Sequence, residues 1–261
     1  MALCIVVPFR EQPQFDRAAQ LRALLRALSR GVPRGVDYRV LVIEQCEDGQ
    51  LFNRGKLLNV GFALRPRGCQ SCVFHDVDLV PCDTLVRHYL SRPGVYHLGA
   101  RWNRYNDNPR YLGGVLQVEA SVFEAVNGFP NTFWGWGGED DALYERLQRH
   151  RQPISGPLEG SYRDLEGVSL RRKLQMLREH RLKCMSKWEE LERDRAGGWH
   201  ENGLSTLDFH LMRSECVEPR VMRYLVDLRY PCVTPPPNVT CGAISSDHER
   251  TRKRKTRERD T

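Results

Sequence analysis

The sequence predicts a single α/β domain, a mostly parallel sheet flanked by helices. Three observations carry this. Short β-branched runs alternate with segments of helical periodicity from the first residues onward. The chain has 261 residues, room for one sizeable domain. Its chemically informative clusters fall where apolar runs end, which is where an open parallel sheet binds ligands.

Leu3–Val7 reads as a first strand, stopped by Pro8. Residues 15–29 carry Ala18, Leu21, Leu25 and Leu28 at helical spacing with arginines on the other face, and Gly31 ends that helix. Residues 38–44 form a second buried strand, residues 52–64 a second helix, and residues 72–74 a third strand that leads straight into Asp76-Val77-Asp78. Residues 98–101 and 114–118 read as further strands, residues 120–126 and 140–150 as helices. Residues 170–195 read as a surface helix or helix pair with a solvated basic face. Residues 204–211 and 221–228 read as closing strands. We expect one folded domain over residues 1–232, then a Pro-rich linker and basic tail over residues 233–261.

Bulk properties narrow the function. The formal charge is +7, but residues 248–261 hold seven Lys/Arg against three Asp/Glu, so the tail alone supplies +4. A solvated tail is the expectation, and no nucleic-acid partner. No apolar run approaches the ~20 residues of a membrane span, and the N-terminus lacks a signal-peptide pattern. The chain as written is expected to be soluble and cytoplasmic. Nine scattered cysteines include one lone Cys69-Gln-Ser-Cys72. Free thiols are expected in a reducing compartment, and a pairing among Cys216, Cys232 and Cys241 in an oxidising one. Asn238-Val-Thr240 fits a glycosylation acceptor, relevant only to a secreted chain.

Two clusters carry chemistry. Asp76 and Asp78, just past a buried strand, offer the oxygen ligands a hard divalent cation wants when it binds nucleotide phosphates. Trp134-Gly-Trp136-Gly-Gly138 is a glycine-hinged aromatic loop that can stack on a sugar and exclude water, and it runs directly into Glu139, Asp140 and Asp141. Carboxylates in the first turn of a helix also favour its dipole, which accounts for one or two of them. As a general base, one would take the proton from an attacking hydroxyl.

These motifs resemble the β-1,4-galactosyltransferase family, glycosyltransferase family 7. The likeness runs through Val7-Pro8-Phe9-Arg10, Phe52-Asn53-Arg54-Gly55-Lys56 to Phe62, Asp76-Val77-Asp78, Tyr111-Leu112-Gly113-Gly114, Asn127-Gly128-Phe129 and Trp136 to Asp141, with Asn202-Gly203-Leu204-Ser205-Thr206-Leu207 after them. It covers residue 3 to about residue 230, and the stretch around the Asp pair is most similar to the branch that galactosylates xylose.

The resemblance implies a GT-A-like, Rossmann-type fold, UDP-galactose as donor, Mn2+ with Mg2+ as alternative, inversion at the anomeric carbon, a glycan acceptor ending in xylose or N-acetylglucosamine, and the Golgi lumen as location if the N-terminus is truncated. It would put Pro8, Phe9, Arg10, Phe52, Arg54, Asp76, Val77, Tyr111 and Gly114 around the donor. Asp140 would be the base, Glu139 and Asp141 would hold sugar hydroxyls, and Trp136 would be the lid. Asp78 would ligate the metal. The family adds a downstream histidine ligand, but the matching stretch here is Ser161-Tyr-Arg-Asp164-Leu-Glu166. Asp164 and Glu166 are therefore the expected substitutes, giving an all-oxygen site. Two other readings stay open: an N-acetylgalactosaminyltransferase on the same fold, and an inactive nucleotide- or glycan-binding relative.

Overall fold

The computed structural model describes residues 2–229, apart from residues 13, 103, 105–107 and 109. The expected boundary at residue 232, the linker and tail, Cys232, Cys241 and Asn238 lie outside the described residues.

In chain order the elements are β1 (Ala2–Phe9), α1 (Arg17–Gly31), β2 (Tyr38–Gln45), α2 (Arg54–Ala63), β3 (Cys69–His75), β4 (Leu79–Pro81), α3 (Asp83–Val86), β5 (Val95–Tyr96), β6 (Val115–Glu119), α4 (Ala120–Ala125), α5 (Glu139–Arg149), β7 (Ile154–Ser155), β8 (Tyr162–Asp164), α6 (Leu170–Glu179), α7 (Lys187–Arg195), β9 (His210–Glu218) and β10 (Val221–Asp227). The main sheet runs β7-β5-β6-β3-β1-β2-β10-β9. Its centre, β3-β1-β2-β10, is parallel, with Ile5 opposite Val40 and Cys4 opposite Cys72. Antiparallel β6 and β9 flank that centre, and β4 pairs with β8 in a separate ribbon.

Alternation along β1 explains the layers. Cys4 and Val6 join one apolar cluster with Leu57, Leu58, Val60 and Phe62 of α2, Phe123 of α4, and Leu143 and Leu147 of α5. Leu3, Ile5, Val7 and Phe9 join the opposite cluster with Leu24, Leu25 and Leu28 of α1 and Leu85 and Val86 of α3. A strand with period-2 side chains, apolar on both faces, has to be covered on both. The result is the helix-covered, mostly parallel sheet that the alternating pattern predicts.

Several local expectations need correction. Pro8 does not stop β1; it sits in register with Ile43 and the strand continues to Phe9. Residues 98–101 form a 3-10 turn instead of a strand. β6 already pairs with β3 and β5, and His97 turns its ring onto the Gly113 carbonyl, so the chain leaves the sheet after Tyr96. Residues 204–206 are likewise a 3-10 turn, because Asn127 captures the Ser205 amide, and β9 begins only at His210. Residues 170–195 split into α6 and α7 at Arg181, which adopts a left-handed φ of 55°.

Cys4, Cys46, Cys69, Cys72, Cys82 and Cys184 are free thiols, whereas Cys216 is disulfide-bonded. Among the described residues no helix is long and apolar enough to cross a membrane.

Candidate active site

The carboxyl ends of β1 and β3, the start of α2, the turn before β6 and the loop into α5 converge on one cavity of about 310 Å³. Of the residues singled out in the sequence, Pro8, Arg10, Phe52, Arg54, Asp76, Val77, Asp78, Tyr111, Gly114, Trp136, Glu139, Asp140, Asp141 and Glu166 all line it. Phe9 departs from the expectation. Its ring is buried in the apolar core on the α1 side, because alternation from Val7 turns it away from the ligand face. Asp164 does not line the cavity itself but adjoins residues that do.

The long family-like motif at residues 52–62 divides its labour. Asn53 caps α2 by accepting from the Lys56 amide, and it donates to the Asn131 carbonyl at 2.7 Å. Asn59 both donates to the Phe129 carbonyl and accepts from the Phe129 amide. Lys56 reaches Asp208 and the Leu228 carbonyl. These buried bonds fix the pitch of α2, and Arg54 is the residue that this fixes over the cavity. Its Nε donates to Asp76 at 2.7 Å, and its Nη1 lies 3.4 Å from Glu139. Burial disfavours the guanidinium charge, but Asp76, Glu139 and Asp140 outweigh it and raise the Arg54 pKa.

Behind the Asp pair, His75 is fully buried, with Nδ1 2.8 Å from the Asp76 carbonyl and Nε2 2.8 Å from the Tyr89 hydroxyl, which meets the Tyr162 hydroxyl at 3.1 Å. Burial lowers the His75 pKa to about 4, so the ring is neutral near pH 7. The unfolded chain takes up this proton near pH 6.5 and the folded chain does not. The resulting stability is complete above that value and is lost as pH falls towards 4, up to about 3 kcal/mol. Denaturant titrations at pH 7 and pH 4.5 should therefore show a shallower acid loss in His75→Gln than in the wild type.

The acidic loop is built by close approach. Gly138 precedes α5 at φ 111°, and a Cβ there would lie 2.3 Å from the Phe133 ring, so only glycine admits this entry. Trp136 is pinned by its backbone: its amide donates to the Leu182 carbonyl and its carbonyl accepts from Cys184. Its side chain is 39% exposed and overhangs the cavity.

Asp140 lies against Gly113, where a Cβ would come within 2.4 Å of its Oδ2 and 2.8 Å of the Tyr111 hydroxyl. Glu139 is buried, and among the described residues its Oε2 finds no hydrogen-bond partner. Burial and the Asp140 charge push the Glu139 carboxyl well above its ordinary value. An orphaned buried oxygen beside a ligand cavity fits a sugar hydroxyl. Asp141 is engaged by Lys187 Nζ at 2.6 Å and lines the cavity.

Asp78, Asp164 and Glu166 bring carboxylate oxygens within 4.8 Å of one another. β4 and β8 achieve this, pairing Leu79 with Asp164, while the Asp78 carbonyl accepts from Leu165. Three hard oxygen donors at this spacing fit a divalent ion such as Mn2+ or Mg2+. Burial and the Glu166 charge push the Asp78 carboxyl up; Glu166, despite its own burial, is held down by Lys173 and Arg17.

Those cations were not legible in the sequence. Arg17 fell on the polar face of the first helix, and Lys173 on a face read as solvated. That second reading needs correction, since Lys173 is 9% exposed and points into the cavity wall. Phe15 was the available signal: an aromatic ring just ahead of a helix, with Arg17 4.5 Å and Lys173 5.2 Å from its centroid. Trp102, which donates to Asp164 at 3.2 Å, was also missed.

Residues 1–89 match the family described as the N-terminal region of glycosyl transferase group 7, and residues 94–166 the one described as the N-terminal domain of galactosyltransferase. Human β-1,4-galactosyltransferase 4 is 36% identical over 190 residues, 69% of this chain and 51% of that protein. The chain spans about half the length, or less, of the curated relatives it matches. Among solved structures, the catalytic domain of Drosophila β-1,4-galactosyltransferase 7 in complex with xylobiose superposes with a TM-score of 0.70 at 26% identity, covering 87% of this chain and 94% of that one. A mutant of the same enzyme, in complex with manganese, UDP-Gal and xylobiose, superposes equally well at 24% identity, with the same coverage. Two successive matched regions, with the acidic loop beginning inside the second and the Asp pair inside the first, leave one conclusion: the chain belongs to the group 7 galactosyltransferase family.

Proposed function

We propose that residues 1–232 form a metal-dependent, inverting galactosyltransferase that moves galactose from UDP-galactose to a hydroxyl of a terminal xylose or N-acetylglucosamine. The observation that carries this is the position of Asp140, on the same cavity as the Asp76/Asp78 pair and held between Gly113, Tyr111 and Glu139. Arg10 and Arg54 supply fixed positive charge for the diphosphate, and Phe52 a flat face for the base. Asp140 accepts the proton of the acceptor hydroxyl as that oxygen attacks the anomeric carbon, while the diphosphate leaves from the opposite face of the sugar. Glu139 grips a sugar hydroxyl with its unpartnered oxygen, and Trp136 covers the sugar against water. A tyrosine at 111, packed on Gly113 and Gly114, supports galactose over the bulkier N-acetylgalactosamine. Asp78, Asp164 and Glu166 would hold Mn2+, or Mg2+ in its place, which when bound neutralises charge on the leaving diphosphate.

UDP release from a panel of UDP-sugars, with xylosides and N-acetylglucosamine as acceptors, tests this. Turnover selective for UDP-galactose and abolished by chelator is expected. UDP binding with no turnover on any acceptor would replace the enzyme with a binding-only relative. In the Asp164→Ala, Glu166→Ala double variant the metal concentration for half-maximal activity should rise at least about tenfold; an unchanged metal titration would remove both residues from the metal site.

A further inference from the structure

Asp78, Asp164 and Glu166 each already face positive charge. Arg17 lies 3.3 Å from Asp78 through Nη1 and 2.7 Å from Glu166 through Nη2. Lys173 Nζ donates to Glu166 at 2.5 Å. Arg104 pairs with Asp164 and lies 3.1 Å from the second oxygen of Glu166. Three carboxylates thus meet three cations, and the cation side chains are only 6–11% exposed. With all three carboxylates ionised, the charges of the cluster cancel. A divalent ion added among these carboxylates would leave a buried excess of positive charge, which is costly without a compensating anion. A nucleotide-sugar diphosphate brings one negative charge on each phosphoryl group and restores neutrality. Arg17 and Lys173 both line the cavity that Arg10 and Arg54 also face, so they are placed to receive it.

We infer that Arg17, Lys173 and Arg104 are counter-ions of the metal-ligand carboxylates and make divalent-metal binding depend on the nucleotide diphosphate. The ion takes the carboxylates as the phosphates take the released cations. This rests on the assignment of the three carboxylates under Proposed function. By linkage, metal and diphosphate then strengthen each other's binding by one and the same factor.

The test is direct binding of Mn2+ to the intact protein, read from the electron paramagnetic resonance signal of the free ion, with and without UDP. Saturating UDP should tighten Mn2+ binding to the wild type by about tenfold or more. Lys173→Met and Arg17→Gln should each bind Mn2+ alone about tenfold more tightly than the wild type and gain less from UDP. Lys173→Arg should restore wild-type behaviour, and thermal melts show that each variant is folded.

A wild type whose Mn2+ affinity UDP does not change overturns the inference, as does Mn2+-alone affinity that neither charge-removing variant increases. Calorimetry with UDP separates this from the functional reading. UDP that binds without mutual strengthening sinks only the counter-ion inference. UDP that never binds sinks the donor assignment, while the Mn2+-alone comparison still decides whether the cations compete. No Mn2+ binding in any form overturns both.

Discussion

Asp140→Asn is expected to lower turnover by about 10²–10⁴-fold while UDP affinity changes less than about threefold. The amide keeps the shape of the carboxylate, so it still fits against Gly113 and Tyr111. What it loses is the ability to accept the acceptor's proton. Arg10, Arg54 and Phe52, which face the nucleotide in the proposed mechanism, are untouched. The measurement is kcat and KM for both substrates beside calorimetric UDP binding. Turnover within a few-fold of wild type would move the base to Glu139 or Asp141. Of these, Glu139 is the poorer candidate, since its buried carboxyl holds its proton to a higher pH. Asp141 is tied to Lys187.

Arg146→Met should cause the largest loss of stability, about 3–5 kcal/mol, because it strands a buried carboxylate. Arg146 is 1% exposed. It grips Asp194 of α7 through two nitrogens at 2.5 and 3.1 Å, and donates to the carbonyls of Asn127, Gly128 and Asn202 at 3.2, 2.9 and 2.7 Å. One side chain on α5 therefore ties together the turn after α4, the helix beyond the lid segment and the turn before β9. A loss of this size should lower the melting temperature by roughly 10 °C in a domain of this length. Arg146→Met combined with Asp194→Leu removes both charges and should recover much of the loss. If the single variant melts within about 2 °C of wild type, the buried pair is not a principal tie.

The expected branch of the fold and most of the cavity were legible because their signals are local. β-branched runs mark the central strands, and the chain direction of β1 and β3 sends Pro8-Phe9-Arg10 and Asp76-Val77-Asp78 to one sheet edge. The Trp-Gly loop and its carboxylates are contiguous, so their association needed no tertiary information. The same locality explains the misreadings. Pro8 looked like a strand end because its missing amide is a local fact, whereas its tolerance depends on partners in β2. Phe9 looked like a donor contact because motif likeness does not say which face of the strand a side chain takes.

What the sequence by itself determined is the alternation of central strands and helices, the family and most of the acidic residues that line the cavity. Each of these is written in periodicity or in runs of neighbouring residues. Only the tertiary structure decided what those acids meet. Arg17 and Lys173 lie far apart in sequence, one on the arginine face of the first helix and one on a helix face read as solvated, and nothing in the sequence set Arg146 apart from the other arginines. Helical periodicity says that a face is polar; it cannot say whether water, a buried carboxylate or a ligand cavity lies against it. That choice is made when helices from distant parts of the chain pack together. It turned three unremarked cations into the electrostatic partners of the candidate metal site.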